Sequence, residues 1–433
     1  MKFYSTNNKN IKVSFKDVLL RGMPTDKGLY MPEYIPDLSN ILDGNTNLSF
    51  KEIGCLVSSE FIHDELSKND LEEVVNSSIT FDAPNRHLYD SIFCLELFHG
   101  PTLAFKDFGA RFMARCMEKF ISFENENVNI LVATSGDTGS AVANGFYDVE
   151  GINVIILYPK GKVSQIQEKQ LTTLDKNIYA LEIEGTFDDC QKLVKKAFSD
   201  SNLKTKLNIS SANSINLGRL IPQSFYYIHS FLQLEDKKKK NIFCVPSGNF
   251  GNITAGILAK KMGLPIHNFI ASTNLNDIVP NFFKSCKYEP KSSISTMSNA
   301  MDVGNPSNMN RIMDLYKTLD NLKKDVNSWS FNEEQTVESI LKIFNNYNYL
   351  LDPHSAIGLL GIERYLKDFN SDVNGIFLGT AHPAKFADIL EPIINKKIIF
   401  PESLLKVMNK NKKSKVLKND YKEFYDYLID TFQ

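Results

Sequence analysis

Seven short apolar runs alternate with segments of helical spacing between residues 92 and 378, and this alternation most constrains the fold. Near-continuous apolar strands separated by helices indicate a parallel sheet that is covered on both faces. We therefore predict an α/β fold with parallel-rich sheets flanked by helices, in which ligands bind beyond the carboxyl ends of the strands. The predicted strands are Ile92–Leu97, Asn129–Ala133, Asn153–Leu157, Tyr179–Ile183, Asn241–Val245, His267–Ala271 and Gly375–Leu378.

The chain has 433 residues, which is more than a single core usually organises. Before the alternation begins, the apolar spacing is that of helices, and after it ends the spacing is again helical and amphipathic. We predict an N-terminal, mainly helical region over residues 1–85, an α/β domain over residues 86–400 and a helical tail over residues 401–433.

The net charge of −2 argues against a general affinity for nucleic acid. The basic stretches Lys237–Lys240 and Lys410–Lys422 lack interleaved aromatics, and we predict a solvated loop and a solvated tail. No apolar run is long enough for a bilayer, and the N-terminus lacks the apolar core of a signal peptide. Six scattered cysteines fit a reducing compartment and form no close-spaced metal or redox pair. We expect a cytoplasmic protein without a metal site.

Lys106 follows the first predicted strand and lies among the apolar residues Leu103, Ala104, Phe105 and Phe108. Most lysines are solvated surface residues, and that interpretation stays open on this context alone. The apolar neighbours instead favour burial at a helix start. Burial lowers the pKa of an amine and suits a lysine that forms a Schiff base.

A glycine-bearing turn, Pro246 to Asn252, joins the strand Asn241–Val245 to the helical run Ile253–Met262. Such a turn presents backbone N–H groups and the positive end of a helix dipole, so it favours an anion such as phosphate. It matches neither the Walker pattern nor the dinucleotide pattern. An ordinary strand-to-helix turn is the alternative interpretation.

Two further polar segments are candidates for substrate binding. Thr134 to Ser140, reading TSGDTGS, opens a helix where a carboxylate could bind, and simple capping by Ser135 or Asp137 is the alternative. The segment SSANSINLGR, residues 210–219, gathers Ser214, Asn216 and Arg219. An arginine offers charge-assisted recognition of a phosphoryl group, and a capped turn with an exposed arginine is the alternative.

Together and in this order, these segments resemble threonine synthase of the bacterial and fungal branch, within the fold type II family of pyridoxal-phosphate (PLP) enzymes. The similarity runs from Gly28–Pro32 through HGPTLAFKDFGARFMA, TSGDTGSA, PSGNFGN, MDVGNPSN and GTAHPAKF. It implies the tryptophan synthase β-like fold with two lobes, of which residues from about 110 to 215 would form the smaller, mobile one.

The resemblance also implies roles for individual residues. Lys106 would be the catalytic lysine that carries PLP, and the hydroxyl of Thr380 would bond the pyridine nitrogen. The cofactor phosphate would be held by Gly248, Asn249, Phe250, Gly251 and Asn252. The substrate carboxylate would meet Ser135, Gly136, Asp137 and Thr138, with Asp137 also near the cofactor's O3′. The substrate phosphate would meet Ser214, Asn216 and Arg219, while Asp302–Asn308 receives no role.

The implied enzyme is a carbon–oxygen lyase that converts O-phospho-L-homoserine and water to L-threonine and phosphate by γ-elimination and β-addition, the last step of threonine biosynthesis. Its partner would be this small molecule, and the resemblance implies a monomer, with a dimer as the alternative. Threonine dehydratase, cysteine synthase and tryptophan synthase β chains share the lysine and the phosphate loop but lack this N-terminal region. An inactive PLP-binding relative and a nucleotide-binding enzyme are the alternative interpretations of this chain's function.

Overall fold

The computed structural model describes residues 1–43, 46–122, 127–134 and 136–433. Its N-terminal region is mainly helical because three serines at positions 14, 49 and 67 start helices, each accepting a bond from the backbone N–H three residues later. A small antiparallel pair of strands joins these helices. The elements are β1 (Phe3–Ser5), α1 (Phe15–Arg21), β2 (Tyr30–Pro32), α2 (Phe50–Ile62) and α3 (Lys68–Ser78).

The rest of the chain alternates strands and helices, as the apolar runs predict. The elements up to the middle of the chain are β3 (Asn85–Tyr89), β4 (Ile92–Glu96), α4 (Lys106–Ser122), β5 (Val128–Ala133), α5 (Asp137–Gly145), β6 (Ile152–Pro159), α6 (Gln165–Thr172), β7 (Ile178–Glu184), α7 (Phe187–Ser199), α8 (Ser201–Lys206), β8 (Ile209–Ser211) and α9 (Leu217–Leu220). Those that follow are α10 (Gln223–Leu232), β9 (Lys240–Pro246), α11 (Gly251–Lys261), β10 (Asn268–Thr273), α12 (Ile278–Ser285), α13 (Met309–Tyr316), α14 (Leu319–Asp325), β11 (Val326–Ser330), α15 (Glu333–Tyr347), α16 (Pro353–Phe369), β12 (Val373–Gly379), α17 (Ala387–Ile394), α18 (Glu402–Met408), β13 (Lys415–Lys418) and α19 (Tyr421–Phe432).

Two sheets organise these elements. The larger sheet has the strand order β11-β10-β9-β12-β4-β3, and all its pairs are parallel except β3 with β4. The smaller sheet has the order β13-β7-β6-β5-β8 and is parallel throughout. All seven predicted strands are present, and the predicted α/β architecture with parallel-rich sheets is confirmed. Four of the five strands of the smaller sheet lie between residues 110 and 215.

The N-terminal region shares its core with the α/β part of the chain. Phe15 packs against Phe120 at a ring-centroid distance of 6.4 Å, and Phe50 packs against Phe108 at 5.6 Å. These rings belong to one continuous apolar cluster that reaches from β1 to β12. The boundary predicted near residue 85 therefore separates types of secondary structure and does not separate packing units.

The C-terminal segment is helical at α18 and α19, as predicted for the tail, but it also contains a strand that the sequence did not predict. Residues 415–418 form β13, which pairs in parallel with the edge strand β7. Lys412, from the stretch predicted as solvated, lies 2.7 Å from Glu168 and 2.8 Å from Glu182. The strand was missed because it buries only Leu417 among exposed neighbours, a pattern typical of an edge strand that is hard to recognise in isolation.

Helices that could cross a bilayer were sought across the described ranges of the chain, and none has the necessary length and apolar character.

The C-terminal helix contributes directly to the core of the smaller lobe, because Phe424 and Leu428 on α19 are fully buried there. Replacing Phe424 with Ala removes a buried ring, so we expect the free energy of unfolding to fall by roughly 3–5 kcal/mol. Urea unfolding followed by circular dichroism measures this change. Lys422→Ala, on the exposed side of the same helix, is the matched control and should cost less than about 0.5 kcal/mol. Equal stability of both variants would show that α19 is not part of this core.

Candidate active site

The loops after β4, β5, β9 and β12 meet at the carboxyl ends of the two sheets and enclose a cavity of about 140 Å³. These loops bring Lys106, Asp137, Asn249 and Thr380 to one space, and residues 213, 214 and 219 close it from the segment before α10. The position agrees with the general rule that ligands bind beyond the carboxyl ends of parallel strands. Five segments that are distant in sequence therefore contribute to one site.

Lys106 is the first residue of α4 and lines the cavity. The turn before it is held by Thr380, whose carbonyl accepts a 2.9 Å bond from the Phe105 N–H, and by Leu103, whose carbonyl accepts a 3.0 Å bond from the His382 N–H. Leu103 has a φ of +57°, a strained conformation for a branched residue. The backbone thus fixes Lys106 opposite Thr380.

The amine of Lys106 is prepared to lose its proton near neutral pH. Burial lowers the pKa of Lys106 to about 8, with the Asp137 charge opposing the shift and the Lys385 and Arg219 charges adding to it. Such a pKa suits a lysine that acts as a nucleophile and as a proton carrier.

The turn from Pro246 to Asn252 has the geometry of an anion cradle. Phe250 has a left-handed φ of +59°, and α11 starts at Gly251 without a side-chain cap, so its first N–H groups are available to a ligand. Gly248 has no room for a side chain, since a Cβ would lie 2.7 Å from the Ala300 carbonyl oxygen. The cradle is therefore packed tightly against the turn at Asn299–Met301.

Asn252 presents an unpartnered donor to this cradle. The hydroxyls of Tyr226 and Tyr227 both donate to its Oδ1 atom at 2.7 Å. Its Nδ2 atom is buried and has no hydrogen-bond partner among the described residues, while the residue lines the cavity. Two tyrosines thus orient an amide N–H₂ group for an acceptor that a ligand would supply.

Asp137 lies at the centre of a buried polar network on the opposite side. Its Oδ1 atom is 2.6 Å from Lys385 Nζ and accepts a 2.9 Å bond from Gln167. Burial alone would raise the pKa of the Asp137 carboxyl, but the Lys385 and Lys106 charges and these hydrogen bonds hold the pKa well below its usual range. Asp137 is therefore a carboxylate and does not act as a cap; Thr134 Oγ1 accepts from the Gly136 and Gly139 N–H groups instead.

The segment 210–219 contributes an unusual arginine. Arg219 is buried, lines the cavity and donates to the Ala212 carbonyl, while its Nε has no partner among the described residues. Burial lowers the pKa of Arg219 to about 10, against an opposing effect of Asp107. Because this charge has no ion-pair partner in the described ranges, it favours an anion in the cavity.

Not every predicted binding residue reaches this space. Gly136, Thr138 and Ser214 line the cavity, whereas Asn216 does not. The Asn216 amide donates to the carbonyls of Leu19 and Ser211 at 3.0 Å, and its Oδ1 accepts from the Gly218 N–H. The structure corrects the direct contact predicted for Asn216, because capping consumes its polar atoms. Ser135 lies outside the described residues.

The segment Asp302–Asn308, which had no predicted role, supports the cradle. Asn308 donates to the Asn249 carbonyl at 3.1 Å and accepts a 2.7 Å bond from Arg311. Asp302 is bonded by Asn274 and by Thr296 at 2.9 and 2.7 Å, which fixes the other end of the segment. The segment therefore holds Asn249 from behind.

Arg311 connects this support to the N-terminal region. It is fully buried and donates to the carbonyls of Tyr30, Ser214 and Ile215 as well as to Asn308. Burial lowers the pKa of Arg311 to about 9. One buried guanidinium thus links β2, the Ser214 segment and the cradle.

Three models of known protein families together match residues 2–428 of this chain. Residues 79–378 match the family model described as pyridoxal-phosphate dependent enzyme, residues 2–79 match the threonine synthase N terminus, and residues 355–428 match the threonine synthase C-terminal region. The chain belongs to the threonine synthase family. Its activity is that of a threonine synthase, a pyridoxal-phosphate-dependent lyase, and the predicted fold type II class is confirmed.

Individual threonine synthases are similar over nearly the full chain. The threonine synthase of Buchnera aphidicola subsp. Schizaphis graminum is 43% identical over 99% of this chain and 100% of its own length. The crystal structure of the Escherichia coli threonine synthase has a TM-score of 0.92 and 40% identity, covering 99% of this chain and 100% of that one. The PLP-bound threonine synthase of Brucella melitensis has a TM-score of 0.93 and 34% identity, with 99% of both chains covered.

The cavity fits the cofactor of threonine synthases, pyridoxal phosphate. Two side-chain nitrogens of residues that line it, Asn252 Nδ2 and Arg219 Nε, are buried and have no partner among the described residues. Both are donors, and a phosphate supplies acceptors. The cofactor also requires a lysine that can form a Schiff base, and the lowered pKa of Lys106 suits this role.

Sequence reasoning missed three residues that shape this threonine synthase site. Gln167 and His354 line the cavity, and Lys385 lies behind Asp137. His354 accepts a 3.2 Å bond from the Ala300 N–H at Nε2, so its Nδ1 carries the proton toward Asp352. Lys385 lies in the family motif GTAHPAKF, where its small and apolar neighbours could have indicated a buried lysine.

The support of the cradle by Asn308 can be tested by removing its amide. Asn308→Ala removes the side-chain donor to the Asn249 carbonyl, which keeps only the 3.3 Å bond from the backbone N–H of residue 308, and it removes one acceptor of Arg311. We therefore expect a loss of roughly 1–3 kcal/mol in unfolding free energy. We also expect weaker PLP binding, measured by titrating the apoenzyme. Asn310→Ala, an exposed position on the same helix α13, is the matched control. If both variants bind PLP as the wild type does, Asn308 does not hold the cradle.

Proposed function

We propose that the chain converts O-phospho-L-homoserine and water to L-threonine and phosphate, with Lys106 as the residue that carries the cofactor. The observation behind this proposal is that two anion-binding features and one lysine line the same cavity. The cradle at residues 248–252 serves one phosphoryl group, and the guanidinium of Arg219, whose Nε has no partner among the described residues, serves another. This pair suits a phosphorylated amino acid bound beside a phosphorylated cofactor.

The cofactor would be held at three points. Its phosphate would meet the N–H groups of Gly248, Asn249, Phe250 and Gly251 and the Nδ2 atom of Asn252, its pyridine nitrogen would meet the Thr380 hydroxyl, and Lys106 would bond it covalently. When bound there, PLP withdraws electrons from the substrate carbons near the amino group and makes their protons acidic. Asp137 would lie near its O3′ atom.

Lys106 would then move protons. An amine with a pKa of about 8 accepts and returns protons with little cost near neutral pH. The free amine of Lys106 would take a proton from Cα and next from Cβ of the substrate, and phosphate would leave from Cγ toward Arg219. A proton would then be returned to Cγ, water would add its hydroxyl at Cβ, and a proton would be returned to Cα to complete threonine.

The substrate would be positioned at both ends. Its carboxylate would meet the N-terminus of α5 at Gly136 and Thr138, with Ser135 as the further expected contact. Its phosphate would meet Ser214 and the guanidinium of Arg219. Asn216 would not contact the substrate but would hold this segment in its conformation, because its amide donates to a backbone carbonyl.

Water control would come from the lobes. Water that enters before phosphate leaves would protonate or hydrolyse reactive species, whereas water that enters afterwards is a substrate. Closure of the lobes over the substrate, followed by reopening, would therefore serve the reaction. We assign this motion to the lobe of residues from about 110 to 215, which carries α5 with Gly136 and Thr138. The N-terminal region of residues 1–85 and the segment 401–433 would brace the α/β domain of residues 86–400.

We also propose a cytoplasmic monomer. All six cysteines are free, and four of them are buried, which suits a reducing compartment. The charge is almost balanced, and we expect no nucleic-acid partner.

Product analysis tests the reaction itself. PLP-loaded protein supplied with O-phospho-L-homoserine should release phosphate and threonine in equal amounts, and Lys106→Ala should release neither. Phosphate and amino acids are quantified in the same samples by molybdate assay and chromatography. Phosphate accompanied by a keto acid would reassign the reaction to elimination and deamination. Neither product, with PLP bound, would contradict the substrate.

The proposed phosphate contact of Arg219 predicts a specific kinetic change. Arg219→Met keeps the volume and removes a buried charge, so we expect the protein to fold while KM for the phosphorylated substrate rises roughly 10- to 100-fold, from the loss of a charge-assisted bond. Inhibition by inorganic phosphate should weaken in parallel, and PLP affinity should change less. Arg115→Met, at a surface pair with Glu118, is the control. An unchanged KM would remove Arg219 from the substrate site.

A further inference from the structure

Lys385 is a buried lysine that the steps above do not use. It belongs to the short helical turn Pro383–Phe386 after β12, and its side chain is 0% exposed. Its Nζ lies 2.6 Å from Asp137 Oδ1 and donates to the Thr102 carbonyl at 2.8 Å. A lysine is almost never fully buried without a function for its charge or a committed partner.

We propose that Lys385 is a positioning residue that neutralises Asp137 and thereby keeps the amine of Lys106 available in its uncharged form. The proposal rests on the role proposed above for Lys106. Lys385 does not line the cavity and acts through Asp137. It therefore controls the charge at the cofactor lysine from behind the site.

The second partner of Lys385 fixes it in place. The Thr102 carbonyl accepts from Lys385 and also, at 3.2 Å, from Gln170 on α6. The N–H and hydroxyl of Thr102 both donate to Asp107, the residue next to Lys106, at 2.9 and 2.6 Å. Lys385 is thus tied to the same turn that carries Lys106.

The charges that face Lys106 come from several elements. Asp137 on α5 favours its protonated form, while Lys385 after β12 and Arg219 on α9 favour the neutral amine. Asp107 is adjacent on α4, and burial raises the pKa of its carboxyl to about 6 against the hydrogen bonds from Thr102. If Lys385 lost its charge, Asp137 would face Lys106 alone, and an ammonium at Lys106 would gain an ion-pair partner. An ammonium cannot attack the cofactor aldehyde.

The test measures how fast the apoenzyme captures PLP as a function of pH, followed by visible absorbance, and requires no turnover. Wild-type protein should capture PLP with a midpoint near the Lys106 pKa of about 8. Lys385→Met should raise this midpoint by roughly one to two pH units, and Asp137→Asn should lower it. The double variant loses both charges and should return toward the wild-type midpoint. Ionisations of PLP itself are common to all samples, so differences between midpoints report on the protein.

Two features keep the outcome decisive. Removing one partner of a buried ion pair is destabilising, whereas removing both is tolerated better, so the double variant serves if Lys385→Met does not fold. In that case its return toward the wild-type midpoint, set against the downward shift of Asp137→Asn, still supports the coupling. Lys397→Met, at an exposed lysine, is the control and should leave the midpoint unchanged.

Equal midpoints in the wild type and Lys385→Met, or shifts of both single variants in the same direction, would overturn the proposal for Lys385. Capture of PLP by Lys106→Ala with the wild-type pH profile would instead overturn the proposed role of Lys106.

Discussion

Buried positive charge without a carboxylate partner is the constraint on which the rest of this structure depends. Within the described ranges neither Arg219 nor Arg311 forms an ion pair, and burial lowers the pKa of both guanidinium groups. Such charges are costly to remove from water unless hydrogen bonds or an anion compensate them. Arg311 is compensated entirely by carbonyl and amide oxygens, which makes it a structural link. Arg219 lines the cavity and keeps its Nε–H group without a partner among the described residues, so part of its compensation is left for a ligand. The same fold thus uses one buried arginine for assembly and another for recognition.

The strands and the two main loops were predictable because they depend on local patterns. Apolar runs of four to six residues identified seven of the strands, and the glycine-bearing turn before α11 and the apolar context of Lys106 indicated the cradle and the cofactor lysine. The contacts of Asn216 were not predictable, because the same side chain could either face a ligand or cap a turn. The pair of Asp137 and Lys385 was also out of reach, since it joins loops of two different sheets and leaves no periodic signal in the chain.

The short strands were also not predictable from local patterns. β1, β2, β8 and β13 have three or four residues each, too few for an alternating pattern to be distinguished from a loop. Their places are set by partners that are distant in sequence, as with β13 on the edge of β7. The segment Asp302–Asn308 is a related case, because nothing in the sequence indicated the support that it provides to Asn249. These features become visible only when the packing of the whole chain is known.

The position of β13 has a consequence for the order in which this protein matures. The edge of β7 is covered by a strand that starts at residue 415, long after the other strands of the smaller sheet have been synthesised. Chains emerge from the ribosome N-terminus first, so the smaller sheet carries an open edge until β13 has emerged. An open edge with free N–H and C=O groups is a template for unwanted pairing with other chains. β13 therefore closes the edge of the smaller sheet late, and nascent chains that have not yet formed it are the species most in need of chaperone protection.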